Sequence, residues 1–253
     1  MMIRPFQTAS PLPTALSDGA YFDRLVHETG DFNPFKDRGW QTLQRCFAQV
    51  TADTRELRVL DVGCGTGQSR RIYAPQARTY TGIDLSHVAV RVARAHHGES
   101  AWLQGDAHRL PFADGSFDVI AFSSVLHHLA DIEIALAAAR RVVTPGGLIF
   151  AFDPNLLHPA MLLFRHPRSP FYRPEGVSPS ERPMLPHRLR RAFDAAALTN
   201  VGQRCQSDIP YREVAPRWLN RLLTFYNSAD WVWQKVGAAR WFGTFVVTWG
   251  RKP

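Results

Sequence analysis

The chain has little cysteine: Cys46, Cys64 and Cys205 are three in 253 residues, too few and too far apart for a disulfide framework or a cysteine zinc site. A reducing compartment is expected. No uncharged apolar run approaches the ~18 residues needed to span a bilayer, and residues 1–19 lack the apolar core of a secretory signal. The expected location is therefore the cytoplasm, at most peripheral to the inner face of the membrane. Internal repeats and low-complexity tracts are also missing, which excludes solenoids and disordered scaffolds. Lysine is scarce too. Only Lys36, Lys235 and Lys252 stand among 30 basic residues, a skew toward arginine that a GC-rich genome produces without any functional demand.

What is present is an ordinary globular composition, 45% hydrophobic and 21% charged. A chain of this length buries roughly three quarters of its extended surface, enough to fold without a covalent staple. The net charge of +8 is unevenly placed: residues 1–155 carry 15 basic and 16 acidic side chains, and residues 156–253 carry 15 and 6. The basic excess thus belongs to the last 98 residues. An anionic partner or surface, if there is one, is expected there.

Residues 20–50 read as one or two helices interrupted by Gly30 and Pro34, with Trp40, Leu43, Cys46, Phe47 and Val50 on one apolar face, a lid or cap. A different pattern follows. Short apolar strands at 58–62, 80–83, 101–103, 119–123 and 148–152 alternate with helical stretches, among them 88–95 and 131–143, with Ile72 on the helix after the first strand. This alternation implies a parallel sheet with right-handed crossovers. Asp131 is a candidate N-cap, and Pro145-Gly146-Gly147 is expected to stop the helix and turn into the next strand. Beyond 155 the pattern breaks into a proline- and arginine-rich stretch, a helix at 186–197, a sixth strand at 201–205 and a seventh at 244–249.

Between the last two strands lies an aromatic, basic segment, 211–241. With Trp249 just beyond it, five of the seven tryptophans (Trp218, Trp231, Trp233, Trp241 and Trp249) fall within 32 residues. It fits two descriptions: a wall of the acceptor pocket, or an interfacial amphipathic helix meeting anionic lipid.

The loop Asp61-Val62-Gly63-Cys64-Gly65-Thr66-Gly67 follows a strand and precedes a helix, where glycines let backbone turn tightly and approach a ligand. It is not a dinucleotide fingerprint. Counted from Gly63 the last position is Gln68, and counted from Gly65 it is Arg70. No Lys-Ser or Lys-Thr follows, so a Walker loop fails as well. A second acid, Asp84, ends the next strand, and a third, Asp106, follows the one after.

With Gly82-Ile83-Asp84-Leu85-Ser86, Gly105-Asp106-Ala107, Leu110-Pro111-Phe112, Phe117-Asp118-Val119-Ile120 and Val125-Leu126-His127-His128-Leu129, the region 57–155 resembles the class I S-adenosylmethionine-dependent methyltransferases. The likeness is to their small-molecule branch of ubiquinone and menaquinone type. It implies an α/β fold: a Rossmann-like, seven-stranded, mostly parallel sheet with helices on both faces, an N-terminal helical cap and insertions after strands five and six. It also implies a single methyltransferase domain over 1–253, with the cap at 1–50, the cofactor core at 57–155 and acceptor-side elements at 156–253.

S-adenosyl-L-methionine is the implied cofactor. By resemblance Asp84, with Leu85, takes the ribose hydroxyls and Asp106 with Ala107 the adenine. Asp61, Gly63, Cys64, Gly65 and Gly67 face the methionine part, whose amine meets the backbone of Ser123. Cys64 reads as a small buried filler rather than a nucleophile.

Methyl transfer rests largely on positioning, and a general base adds ~10²–10⁴-fold where a hydroxyl must lose its proton. His128 is the first candidate base or substrate contact, with His127 beside it; Asp153 and His158 come next. His96 and His97 are expected to be solvated. No metal site is expected, because Asp153 alone is too small a carboxylate set.

The acceptor implied is a small or amphipathic organic molecule: a natural product, glycoside, lipid-linked sugar or quinone precursor, methylated on oxygen. A nucleic-acid acceptor lacks its usual signs, since Ser123-Ser124-Val125 stands where DNA amino-methylating enzymes carry Asn/Asp-Pro-Pro-aromatic. The alternatives are an RNA-modifying enzyme and a catalytically silent scaffold on the same fold. Oligomeric state is not legible in the sequence.

Overall fold

The computed structural model describes residues 14–30, 35, 37–98, 100–172, 177–182, 184–207 and 232–253. Seven strands, β1 Leu57–Val62, β2 Ala77–Asp84, β3 Ala101–Gln104, β4 Phe117–Ser123, β5 Val143–Pro154, β6 Thr199–Gln206 and β7 Phe245–Arg251, form one sheet. Its order is β3-β2-β1-β4-β5-β7-β6. The first five pair in parallel, and β7 runs antiparallel between β5 and β6. This is the α/β sheet the sequence implied.

Strand alternation sends side chains to opposite faces. Val59, Val119, Ala121, Phe150, Phe152 and Val247 enter one core with Trp40, Leu43 and Phe47; Leu60, Val62, Ile120, Phe122, Ile149 and Val246 enter the other with Leu136, Ala139 and Phe193. Both faces are therefore covered by helices, as near-continuous apolar strands require. The first core lies under α2 (Asp37–Thr51), α3 (Arg70–Tyr73) and α4 (His87–His96). The second lies under α5 (Ile132–Val142) and α7 (Pro186–Ala195).

Local chemistry starts these helices where expected. The Ser86 hydroxyl accepts from Ala89 N at 3.0 Å to cap α4, and Asp131 accepts from Ile134 N at 3.1 Å to cap α5. Pro186 occupies the first turn of α7. The N-terminal cap is two helices, α1 (Thr14–Thr29) and α2, parted at Gly30. Short helices α6 (Pro159–Arg165) and α8 (Ala239–Phe242) complete the described set.

Three expectations need correction. Pro145-Gly146-Gly147 does not form a free turn: β5 already begins at Val143, because Gly146 N donates to Lys252 O and Lys252 N donates to Gly147 O, tying this stretch to the end of β7. The helix read as 186–197 ends at Ala195, with Ala197 in the left-handed region at φ +52°. His97 is not solvated like its neighbour His96; it is half-buried, its ring centroid 5.9 Å from that of Trp102. Of the segment 211–241, residues 211–231, with Trp218 and Trp231, lie outside the described residues.

The strand order reverses between β1 and β4, which go on to neighbours on opposite sides. Open α/β sheets bind ligands at the carboxyl ends of strands beside such a switch. The loops after β1, β2, β4 and β5 meet there.

Candidate active site

A cavity of about 750 Å³ opens at this edge. Its lining runs from the glycine loop through Asp84 and Asp106 to the His127–His128 turn and on to Phe152, Phe245 and Met161.

At the first end, β1 delivers the chain into Gly63, whose φ of +73° and close neighbour Val125 leave no room for a side chain: an added Cβ would lie 2.4 Å from Val125 Cγ2. Gly63→Ala is expected to destabilise the fold by about 1–3 kcal/mol through left-handed strain alone, and further through the clash. Thermal melts should show Val125→Ala in the double variant recovering only part of the clash, because Val125 Cβ would still lie 2.6 Å from the added Cβ, and none of the strain. Gly65 differs. A Cβ there would meet nothing within 4 Å, so this backbone faces open space in the cavity it lines. Gly67, by contrast, faces His97 and Trp102, not the cavity.

Asp84 ends β2 half-buried, and its carboxylate accepts from Gly65 N and Ser86 N, each at 2.8 Å. Burial raises its pKa. Asp106 accepts from His108 N at 2.9 Å and pairs with His108 Nδ1 at 2.7 Å, while His108 Nε2, buried on the cavity lining, has no hydrogen-bond partner among the described residues. Leu85, Ala107, Cys64 and Ser123 also line this end.

Asp61 sits behind the loop, off the cavity lining. Its carboxylate accepts from Tyr80 Oη and Ser123 Oγ, each at 2.7 Å, and from Ser69 Oγ, and burial pushes its pKa up to about 6. Its contacts are those of a residue that holds the loop from beneath. Burial drives the Cys64 thiol well above its usual pKa, as suits an inert filler.

At the second end, the short 3-10 turn Leu126–His128 follows β4. Asp153, at the end of β5 and wholly buried, accepts from both His127 N (3.1 Å) and His127 Nδ1 (2.8 Å). With Nδ1–H so engaged, the remaining nitrogen, Nε2, carries a lone pair. Asp153 does not reach the cavity lining; it orients His127, which does. The His128 ring centroid lies 3.8 Å from that of His127, its Nδ1 is 2.7 Å from Ser178 Oγ, and burial lowers its pKa well below the usual imidazole value. His158 is buried at the start of α6, off the cavity lining, with its pKa pushed down to about 4.

Several lining residues were not legible in the sequence. Glu181 Oε2 lies 3.8 Å from His128 Nδ1, brought in because Arg182 N donates to His127 O at 2.7 Å. The expectation of no metal site, made on Asp153 as a lone carboxylate, thus meets a His127–His128–Glu181 cluster that could hold an ion. Helix α1 crosses over both ends: Asp23 accepts from Ser86 Oγ and Val88 N, Asp18 accepts from Ser180 N at 3.2 Å, and Phe22 meets His128 edge-on at 5.1 Å. Tyr21 and Arg165 line the cavity nearby, and burial, then Glu181, raise the Tyr21 hydroxyl while Arg165 lowers it. An amphipathic helix and scattered arginines give no sequence signal of such contacts.

The chain is similar to known methyltransferases. The family model described as "Methyltransferase domain" matches residues 60–151. The chain is 30% identical over 168 residues to a ubiquinone biosynthesis O-methyltransferase of Agrobacterium fabrum, covering 64% of this chain and 66% of that one. It is 38% identical over 93 residues to a malonyl-[acyl-carrier protein] O-methyltransferase of Erwinia pyrifoliae, covering 37% and 36%. The chain thus spans just under two thirds of the first relative's length and about a third of the second's.

Among solved structures, an S-adenosylmethionine-dependent methyltransferase of Aquifex aeolicus superposes with a TM-score of 0.59 at 14% identity, covering 91% of this chain and 98% of that one. The [4+2]-cyclase SpnF superposes at 0.62 and 22%, covering 97% and 99%. At these identities the likeness is one of fold. A cyclase among the neighbours is a reminder that function is argued from the site.

Proposed function

The chain belongs to the class I S-adenosylmethionine-dependent methyltransferases, and from that premise we propose that it methylates an oxygen of a small, amphipathic organic acceptor. The supporting observation is the continuous cavity, with the glycine loop, Asp84 and Asp106 at one end and the His127–Asp153 pair at the other. The residues present suit the cofactor: open backbone at Gly65, a half-buried carboxylate at Asp84 and a polar atom at His108 Nε2 without a partner among the described residues all belong to the cavity lining.

Asp84 would hold the ribose hydroxyls, Asp106 and Ala107 the adenine, and the Gly63–Gly65 backbone with Ser123 the methionine part. When bound, the cofactor supplies a methyl carbon activated by its sulfonium sulfur: the new C–O bond forms as the C–S bond breaks, leaving the electron pair on sulfur. This chain's residues do the rest. Phe22, Phe35, Trp40, Phe152 and Phe245 exclude water from the apolar end, which selects an acceptor with an aromatic or aliphatic body. His127, fixed by Asp153, turns Nε2 to the acceptor hydroxyl and receives its proton.

Incubation with labelled cofactor and a panel of hydroxylated aromatics, quinone precursors and lipid-linked sugars tests the proposal. Label recovered in an ether is the expected result. Tight cofactor binding without consumption of the methyl group across the panel and cell extract would favour the silent scaffold.

Burial raises the pKa of Asp61 to about 6 and also raises that of Asp84. The folded chain therefore holds these protons more tightly than the unfolded chain, and the stabilisation is lost as pH rises from 3.8 through about 6. A cationic ligand over the loop favours the ionised forms. Cofactor affinity is accordingly expected to increase between about pH 5 and about pH 7 and then level, and calorimetry across that range should resolve it.

The acceptor's amphipathic character has a second support. Val232, Val236, Trp241 and Phe242 are exposed, as are Leu162, Leu163 and Phe171, with Arg168 and Arg240 close to them in sequence. None of them lines the cavity, which favours an interfacial role over a pocket wall for the described part of the aromatic segment. Exposed apolar groups beside arginine suit an anionic membrane surface. The chain is expected to sediment with anionic vesicles and not with neutral ones, and Trp241→Glu with Phe242→Glu should abolish this. Equal recovery with both vesicle types would count against it. No described helix is long and apolar enough to cross a membrane.

A further inference from the structure

We infer that His127, His128 and Glu181 form a binding site for one divalent transition cation of the Zn²⁺ or Co²⁺ class, facing the acceptor end of the cavity. This rests on the reading of that end as the acceptor site. One candidate ligand atom from each residue lies within 4.8 Å of the others, a spread that small side-chain shifts would close onto a single ion with bonds near 2.0–2.2 Å. All three line the same cavity, so further coordination positions stay open to an acceptor oxygen.

Three features make this more than a chance meeting of titratable groups. The Glu181 side chain is 11% exposed and accepts from Ser178 N at 3.2 Å, which places a carboxylate largely removed from water beside the two imidazoles. The loop that carries Glu181 is fastened to the histidine turn itself, through Arg182 N on His127 O and Ser178 Oγ on His128 Nδ1. Asp153 holds His127 by Nδ1, the carboxylate–imidazole arrangement that orients metal-bound histidine and raises its basicity. Two imidazoles and one carboxylate suit borderline transition ions better than Mg²⁺ or Ca²⁺, which take oxygen ligands. A cation there would lower the pKa of an acceptor hydroxyl as a Lewis acid. With the ion bound, the His127 lone pair is a ligand and the acidified acceptor proton passes to solvent water; without it, the acceptor proton goes to His127 directly.

The test uses the full-length, tag-free chain and Co²⁺ as the probe. Titration should give one visible absorption band saturating at one ion per chain, displaced by Zn²⁺. Glu181→Gln and His128→Ala should each weaken Co²⁺ binding at least tenfold, while cofactor affinity by calorimetry and the far-ultraviolet spectrum stay unchanged. Absence of a band at millimolar Co²⁺, or binding unaffected by both substitutions, overturns the inference. Cofactor binding and methyl transfer that persist without the ion would then leave His127 as the proton acceptor and the methyltransferase reading intact. Ion binding in a chain that takes no cofactor would instead sink that reading alone.

Discussion

Asp84→Ala should raise the dissociation constant for S-adenosylmethionine by about 10²-fold or more. Two hydroxyl groups donating to a charged, half-buried carboxylate contribute about 1.5–3 kcal/mol each, and every 1.4 kcal/mol is a factor of ten. The same side chain also accepts from Gly65 N and Ser86 N, so its removal loosens the glycine loop that faces the ligand. Asp84→Asn separates the two effects. It keeps the shape and one acceptor oxygen but loses the charge, and a loss nearer tenfold is expected. Calorimetry on both variants, with a melt to show that each is folded, measures this directly. Wild-type affinity in Asp84→Ala would mean that the carboxylate faces no ligand and that the cofactor end has been misplaced.

The second large effect is expected at the opposite end. His127→Ala should lower kcat by about 10²–10⁴-fold with cofactor affinity untouched, if the imidazole on the cavity lining serves as the proposed proton acceptor rather than as a cofactor contact. Asp153→Asn should fall almost as far although it never enters the cavity. Its carboxylate sets which nitrogen of His127 carries the proton, and an amide that turns its NH₂ toward Nδ1 reverses that assignment. Steady-state rates at saturating cofactor distinguish this from a general loss of structure. Equal decreases in cofactor affinity and in kcat would instead mark His127 as a packing residue.

The cofactor end was legible because its signals are local. A strand, three alternate glycines and an acid at the next strand's end lie within 28 residues, and backbone sterics fix what such a stretch can do. The acceptor end was half legible. His127, His128 and Asp153 stand at strand ends and were named, but Glu181 reaches them through hydrogen bonds of Ser178 to His128 and of Arg182 to His127, 50 and 55 positions apart along the chain. The start of β5 was misread for a similar reason: Pro-Gly-Gly has the chemistry of a turn, and only pairing with Lys252, more than a hundred residues later, turns it into strand. Asp61 shows a subtler limit. Its place in the loop motif suggested a ligand contact, whereas Tyr80, Ser69 and Ser123 occupy its oxygens from below.

Helix α1 grips both ends of the cavity, through Asp23 at the start of α4 and through Phe22 and Asp18 beside the histidine turn. If cofactor and acceptor share the cavity beneath this helix, release of both products is expected to require its unseating, and that step rather than bond exchange is expected to limit turnover. A kcat that falls as solvent viscosity rises, and recovers when Asp23→Ala weakens the grip, is the kinetic signature of that unseating.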